Sequence, residues 1–406
     1  MKKRYLVFGI MAFSHCVKAQ SIKDTAFEKK KLSKTTIDFA FSYYNQDGNN
    51  SAVTGGTGTE KLSVYATDIT ISHQFKKLNT FSLNAGLDII TSASTDKIDY
   101  RVSSASYQDQ HFHADVSFQR QLKKTDLKIS GSLGMAFESD YAAVPLSISF
   151  NYTEPSKMRT YQLGFSCSID DLRWGRFDNE HSGDKLQLVY PSELRYKDWF
   201  DVKKRNTYNI KAGFTQVLSK KITVGIFPEF IYQKGLLATP FHRVYFNDNS
   251  LRVENLPKQR FKFPLALKLN AFLGSRFILK SQYSFYADNF GIIANAIEVE
   301  GIIKVKPSFS IGSFFRFYHQ SASDYFKAYK EHTIDELFYS SDYDLSKFNT
   351  YKAGLSMKFF PMNKKQKRVA MENILLRYAF YYRSNQLHAH TFSFAFLFSS
   401  EHISKK

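Results

Sequence analysis

The sequence predicts an all-β fold, a closed antiparallel transmembrane β-barrel of about sixteen strands with short periplasmic turns and long external loops. Three observations carry this expectation. Polar and apolar residues alternate through many long segments, short and long connections take turns between them, and an export signal precedes a chain with no 18-residue apolar run.

The export signal comes first. Met1-Lys2-Lys3-Arg4 is a basic start, Tyr5 to Phe13 an apolar run too short to span a bilayer, and Val17-Lys18-Ala19 a small-residue cleavage site before Gln20. His15 is too large to precede a lipoprotein cysteine at Cys16. Cleavage after Ala19 removes Cys16 and leaves Cys167 alone, which excludes an internal disulfide framework and a cysteine metal site. The expected organisation is a signal peptide at 1–19, a periplasmic segment at 20–33, a barrel at 34–399 and a periplasmic polar tail at 400–406.

Composition agrees with strands. The 406 residues include 39 Phe and 25 Tyr but only 9 Pro, a balance that suits pleated surfaces and argues against Pro-rich linkers. The net charge is +19, yet Lys and Arg recur as short pairs such as Lys76-Lys77, Lys123-Lys124 and Lys220-Lys221. That distribution fits turns facing an anionic membrane surface rather than a nucleic-acid groove.

The strands follow from period-2 alternation, since successive side chains leave a strand on opposite faces. In Thr35–Tyr44 the odd positions read Thr, Ile, Phe, Phe, Tyr against Thr, Asp, Ala, Ser, Tyr. Phe81–Ile89 and Val144–Tyr152 repeat the pattern, and the last segment sets Phe392, Phe394, Phe396 and Phe398 against Ser393, Ala395 and Leu397. Sixteen such segments lie near 35–46, 60–76, 79–92, 109–122, 125–137, 143–154, 159–170, 207–218, 221–234, 260–273, 276–286, 293–305, 308–319, 349–360, 373–383 and 388–398. Short links such as Lys77-Leu78-Asn79 and Gly274-Ser275 carry turn chemistry. Longer links fall near 47–59, 93–108, 171–206, 235–259 and 320–348, while those near 138–142 and 287–292 are short external exceptions. A soluble multi-sheet protein is the rival. It would show shorter strands and more Gly/Pro punctuation.

With the apolar set facing lipid, the alternate set faces the lumen. It holds Asp38, Asp68, Asp88 and Asp115 in the early strands. Later strands add Lys211, Lys262, Lys268, Lys280, Lys304, Arg316, Lys352, Lys358, Arg377 and Arg383, with Glu229, Glu298 and Glu300 as acidic exceptions. Ten basic positions against three acidic ones give two readings: a wet channel with a basic wall, or an internal lattice of ion pairs. The links near 171–206 and 235–259 are large enough to fold into such a lumen.

Smaller constellations are weaker. His111 and His113 share a strand face, as do His388 and His390, with no Cys or third His beside either pair, so they read as polar lining or rim. Asp335, Glu336, Asp342 and Asp344 match no calcium-loop spacing. Gly55-Gly56-Thr57-Gly58 has no following helix and reads as a flexible loop, not a phosphate cradle. No nucleophile elbow, Walker loop or dinucleotide fingerprint occurs, so neither an enzyme nor a cofactor is expected.

Three further stretches carry a resemblance. They are Asp88-Ile89-Ile90-Thr91-Ser92-Ala93-Ser94-Thr95-Asp96 with Asp99-Tyr100-Arg101, then Thr239-Pro240-Phe241-His242-Arg243-Val244-Tyr245-Phe246, then Tyr339-Ser340-Ser341-Asp342-Tyr343-Asp344-Leu345-Ser346. Together they resemble an uncharacterised domain-of-unknown-function family of outer-membrane β-barrels, across nearly the whole mature chain. The resemblance implies location and fold, not chemistry. It marks Asp96, Asp99, Arg101, His242, Arg243, Asp342 and Asp344 as loop residues of interest, because function concentrates on loops held by a rigid scaffold. One departure is the polar tail after Phe398, where many such barrels end on an aromatic residue.

The sequence therefore leads to an outer-membrane pore for small polar, anionic solutes. The alternatives are a non-conducting scaffold whose loops hold a partner such as a surface lipoprotein and, least supported, a barrel hydrolase. Outer-membrane lipids are the expected surroundings, and nucleic acid is not an expected partner.

Overall fold

A computed structural model describes residues 32–92, 108–123, 125–138, 142–172, 204–239, 242–361 and 369–403. The strands in chain order are β1 (Leu32–Asp47), β2 (Leu62–Phe75), β3 (Asn79–Ser92), β4 (Gln108–Gln121), β5 (Leu127–Phe137), β6 (Ala142–Thr153), β7 (Arg159–Asp171), β8 (Lys204–Ser219) and β9 (Ile222–Gly235). They continue as β10 (Arg243–Tyr245), β11 (Leu251–Val253), β12 (Gln259–Leu273), β13 (Phe277–Asp288), β14 (Ile293–Lys306), β15 (Phe309–Gln320), β16 (Phe348–Phe359), β17 (Ala370–Arg383) and β18 (Leu387–Ile403). All but β10 and β11 form one closed barrel in which chain neighbours pair, β9 pairs with β12, and β18 returns to β1. The sixteen alternating segments each became one barrel strand. The hairpin β10–β11, inside the link between β9 and β12, had no alternation long enough to reveal it.

Closure decides between the two rival folds. An open sheet leaves unpaired amides on two edges, and lipid offers them no partner, whereas the β1–β18 ladder removes both edges. Register keeps one face apolar around the ring. Phe39 pairs with Phe396 and Ile69, and Phe41 with Phe394, whose rings stack at 4.9 Å. Leu133, Ile303 and Leu355 on this face are each more than half exposed. A band of such residues belongs in hydrocarbon, and the protein is an outer-membrane β-barrel.

Tight turns close one end. Lys76, Lys77, Asp126 and Lys157 adopt positive φ there, where two strands must reverse within a few residues. The last strand runs past the expected barrel end at 399: Ser399 to Ile403 pair with Thr36 back to Leu32. The polar residues after Phe398 extend the ladder because β1 also starts early and offers them backbone partners. The expected signal peptide, most of segment 20–33, the link near 171–206 apart from its two ends, and residues 404–406 lie outside the described residues.

Candidate functional site

Strand register puts the charged positions of the wall on the face opposite the Phe/Leu belt. Asp38 pairs with Thr70, Asp68 with Ala40 and Gly86, Asp88 with Ala66 and His111, and Asp115 with Asn84, all on that face. Lys211 lies opposite Glu229, Lys268 opposite Gln282, Lys280 opposite Glu300, and Glu298 opposite Arg316. Lys262, Lys304, Lys352, Lys358, Arg377 and Arg383 share the parity.

Only part of this set pairs up. Lys211 and Glu229 stand 3.5 Å apart, and Glu300 receives Lys280 at 3.0 Å and Arg377 at 3.9 Å. Arg383, almost wholly buried, reaches Glu60 at 3.6 Å and also Asp344. Ion pairs among the described residues do not include Lys262, Lys268, Lys304, Arg316, Lys352 or Lys358. Several of these cations lie over rings instead, Lys268 over Phe227 at 5.0 Å and Lys304 over Phe272 at 5.2 Å. Between the strands lies a cavity of about 630 Å³ lined by Phe227, Glu229, Arg260, Lys268, Arg316 and Asp344 among others. Arg260, which bonds Asp288 through Nε at 2.9 Å, was absent from the sequence set although its parity matches Lys262.

The two histidine pairs part company. His111 Nδ1 lies 3.2 Å from Asp88 Oδ2, and His113 Nε2 lies 3.0 Å from Asp68 Oδ1. His113 can reach across β3 to β2 because Gly86 lies between them, and a Cβ there would sit 2.3 Å from the imidazole. His388 and His390 fall instead on the outward face, paired with Asp47 and Asn45 near the loop end. His390 Nδ1 is 2.9 Å from the Tyr378 hydroxyl. They belong to a rim girdle, not to a polar lining, because β18 sends even-numbered residues outward.

The described residues of the external links 48–61, 236–258 and 321–347 form a packed cap. Its small core is Val244, Phe246 and Tyr339, with His332 completely buried beside them. Bridges join Phe246 to His332 and Asn255 to Tyr339 across more than eighty residues of chain. Gly56, at φ 87°, fits against the cap because a side chain would meet the Ser341 carbonyl at 2.8 Å. The glycine run read as a flexible loop is thus a fitted contact. The link 321–347 also descends to the wall, where Gln320 donates to the Asp344 and Ser346 carbonyls at 2.9 and 2.7 Å.

Two of the familiar stretches meet in this cap. His242 Nδ1 stands 3.5 Å from Glu254 Oε1 and 3.7 Å from Asp342 Oδ2. The Glu254 side chain is 2% exposed, and the Thr239 amide donates to its Oε2 at 2.7 Å while the Ser340 hydroxyl donates to Oε1. Burial pushes the Asp342 carboxyl up to about 6, reinforced by Asp344 and Glu254 against the pull of His242. Burial alone would push His242 down and Glu254 up. Their mutual attraction outweighs it, so the imidazole is raised and the Glu254 carboxyl lowered. Arg243 is buried alongside. Asp96, Asp99 and Arg101 lie outside the described residues. Glu254 and Glu60 were not singled out from the sequence. Neither sits in a motif, and their partners are distant in the chain.

The acidic residues of link 321–347 do not converge on a calcium site. Glu336 accepts from the Thr333 amide at 2.9 Å and stands 2.6 Å from His332 Nδ1, Asp342 turns to His242, and Asp344 turns to Arg383. The Ser340 hydroxyl is fully buried and donates to Glu254 rather than to a histidine, which is no arrangement for a nucleophile.

Comparison with known proteins gives the family. A family model described as "Protein of unknown function (DUF3570)" matches residues 101–390. No curated protein matches in sequence. Similar solved structures include Pseudomonas aeruginosa OccK1, at 8% identity and TM-score 0.43, covering 91% of this chain and 99% of that one. Others are Acinetobacter baumannii OccAB3, at 7% identity and TM-score 0.42 with 90% and 99% covered, and a BenF-like porin from Pseudomonas fluorescens Pf-5, at 8% identity and TM-score 0.42 with 90% and 98% covered.

Proposed function

The chain belongs to the family of proteins of unknown function DUF3570, and we propose that it is a channel passing small polar solutes, with a preference for anions. The observation that carries this reading is the set of wall cations Lys262, Lys268, Lys304, Arg316, Lys352 and Lys358, which enter no ion pair with a described residue. None of the six is buried, and an unpaired charge is costly away from water, so these groups need water beside them, whereas a lattice of ion pairs leaves none over. A hydrated wall of one sign then concentrates mobile ions of the other.

Planar-bilayer recording tests the proposal. Wild type should conduct, and its reversal potential in a KCl gradient should indicate anion selectivity. Replacing Lys268, Arg316 and Lys352 together by Glu should move the selectivity toward K⁺. A barrel that inserts but carries no current rejects the channel, and one indifferent to the triple change rejects the anion preference.

A second reading, a scaffold docking a surface lipoprotein through the cap, draws support from Leu337 and Ile334, which are 71% and 53% exposed on link 321–347. Recovery of one defined partner after mild detergent extraction, abolished by Leu337→Glu, is its test.

A further inference from the structure

We propose that His242, Glu254 and Asp342 form a divalent-metal site that fastens the two large external links to each other. The three ligand atoms lie within 4.8 Å of one another, with His242 and Glu254 on the β9–β12 link and Asp342 on the β15–β16 link. His242 Nδ1 is a buried atom with no hydrogen-bond partner, although carboxylate oxygens stand 3.5 and 3.7 Å from it on two sides. Those separations are too long for hydrogen bonds. They are close to the spacing of ligands around one ion: bonds of about 2.0–2.2 Å at a tetrahedral centre place neighbouring ligand atoms roughly 3.3–3.6 Å apart, so the Glu254 oxygen already stands at that spacing and the Asp342 oxygen about 0.1 Å beyond it.

The surroundings suit a metal site. Glu254 is held by the Ser340 hydroxyl and the Thr239 amide, which fix its carboxylate as outer-shell donors do around bound ions. Two carboxylates and one imidazole suit a first-row divalent cation such as Zn²⁺ or Mn²⁺, whereas Ca²⁺ takes oxygen ligands alone. The ion would offset the mutual repulsion of Glu254 and Asp342 and cross-link the β10–β11 hairpin to link 321–347 above the lumen. The proposal is independent of what the channel passes.

Zn²⁺ is the probe. The untagged full chain, stripped with chelator in detergent, is titrated by calorimetry, and the zinc-loaded wild type is examined by X-ray absorption. One equivalent is expected, with one imidazole and the rest oxygen. His242→Gln and Asp342→Asn should each lower affinity more than tenfold. Ser340→Ala should lower it by roughly tenfold, the usual cost of an outer-shell loss. Heat-modifiable gel mobility confirms that each variant retains its barrel. His111→Gln with His113→Gln should leave the equivalent intact, because that wall cluster with Asp88 is the other group able to gather a metal among the described residues. Two imidazoles in the absorption spectrum, loss of zinc in the His111/His113 variant, or undiminished binding in His242→Gln assigns the metal elsewhere and overturns the proposal. Absence of binding overturns it too, leaving His242 as an imidazolium between two carboxylates.

Discussion

The barrel wall and the external cap obey different rules. In the wall, backbone ladders satisfy the amides, and the outward side chains need only be apolar: Phe315 is half exposed on the lipid-facing side. In the cap, backbone bonds form isolated bridges and turns instead of long ladders, and buried polar side chains are held by specific partners, as Glu254, His332 and Ser340 are. The wall tolerates many sequences of the right period. The cap depends on named pairs, and unpaired buried groups are costly there.

The largest test of this division is Phe246→Ala. Phe246 is fully buried and packs edge-on to Tyr339 at 4.9 Å, so the change should cost the cap about 3–5 kcal/mol. Hydrogen exchange should rise across links 236–258 and 321–347 while the barrel strands remain protected. Exchange rising in both would show that cap and wall fold as one unit.

Phe315→Arg is the converse. A charge on the lipid face near mid-depth should cost the barrel about 2–4 kcal/mol, read from urea unfolding in lipid vesicles. An unchanged midpoint would contradict the outward assignment of this strand face.

The smallest effect belongs to Glu336. Burial would raise its carboxyl, but hydrogen bonds from Lys327, Thr333 and His332 prevail and hold it at about 2. A depressed carboxylate contributes stability above its unfolded value of about 4.3, and that contribution disappears as pH falls through the folded value. Glu336→Gln should therefore loosen the cap by roughly 1–2 kcal/mol at neutral pH. The difference between wild type and variant should shrink between about pH 4.5 and pH 2, measured by protease cleavage of the links. A difference independent of pH would remove the charged hydrogen bonds as its cause.

Legibility followed the same division. Parity assigns the charged positions from Asp38 to Arg383 to one strand face, because one lipid-facing residue fixes the direction of every neighbour on its strand. Parity also places Arg260 and Asp288 on the wall face, but only the structure shows that the two bond each other. It failed for His388 and His390, where a shared face was recognised but not which face. In the cap, resemblance pointed to His242 and Asp342, but no periodicity leads to Glu254 or to the fit of Gly56 against Ser341.

The amino-acid order by itself determined strands, faces and closure, since alternation is a local property and a bilayer leaves the backbone no other way to pair. Tertiary structure alone decided which wall cations keep a partner, how far the last strand extends, and that two links distant in the chain meet at His242 and Asp342. Those outcomes depend on distances through space between segments whose spacing along the chain carries no record of their approach.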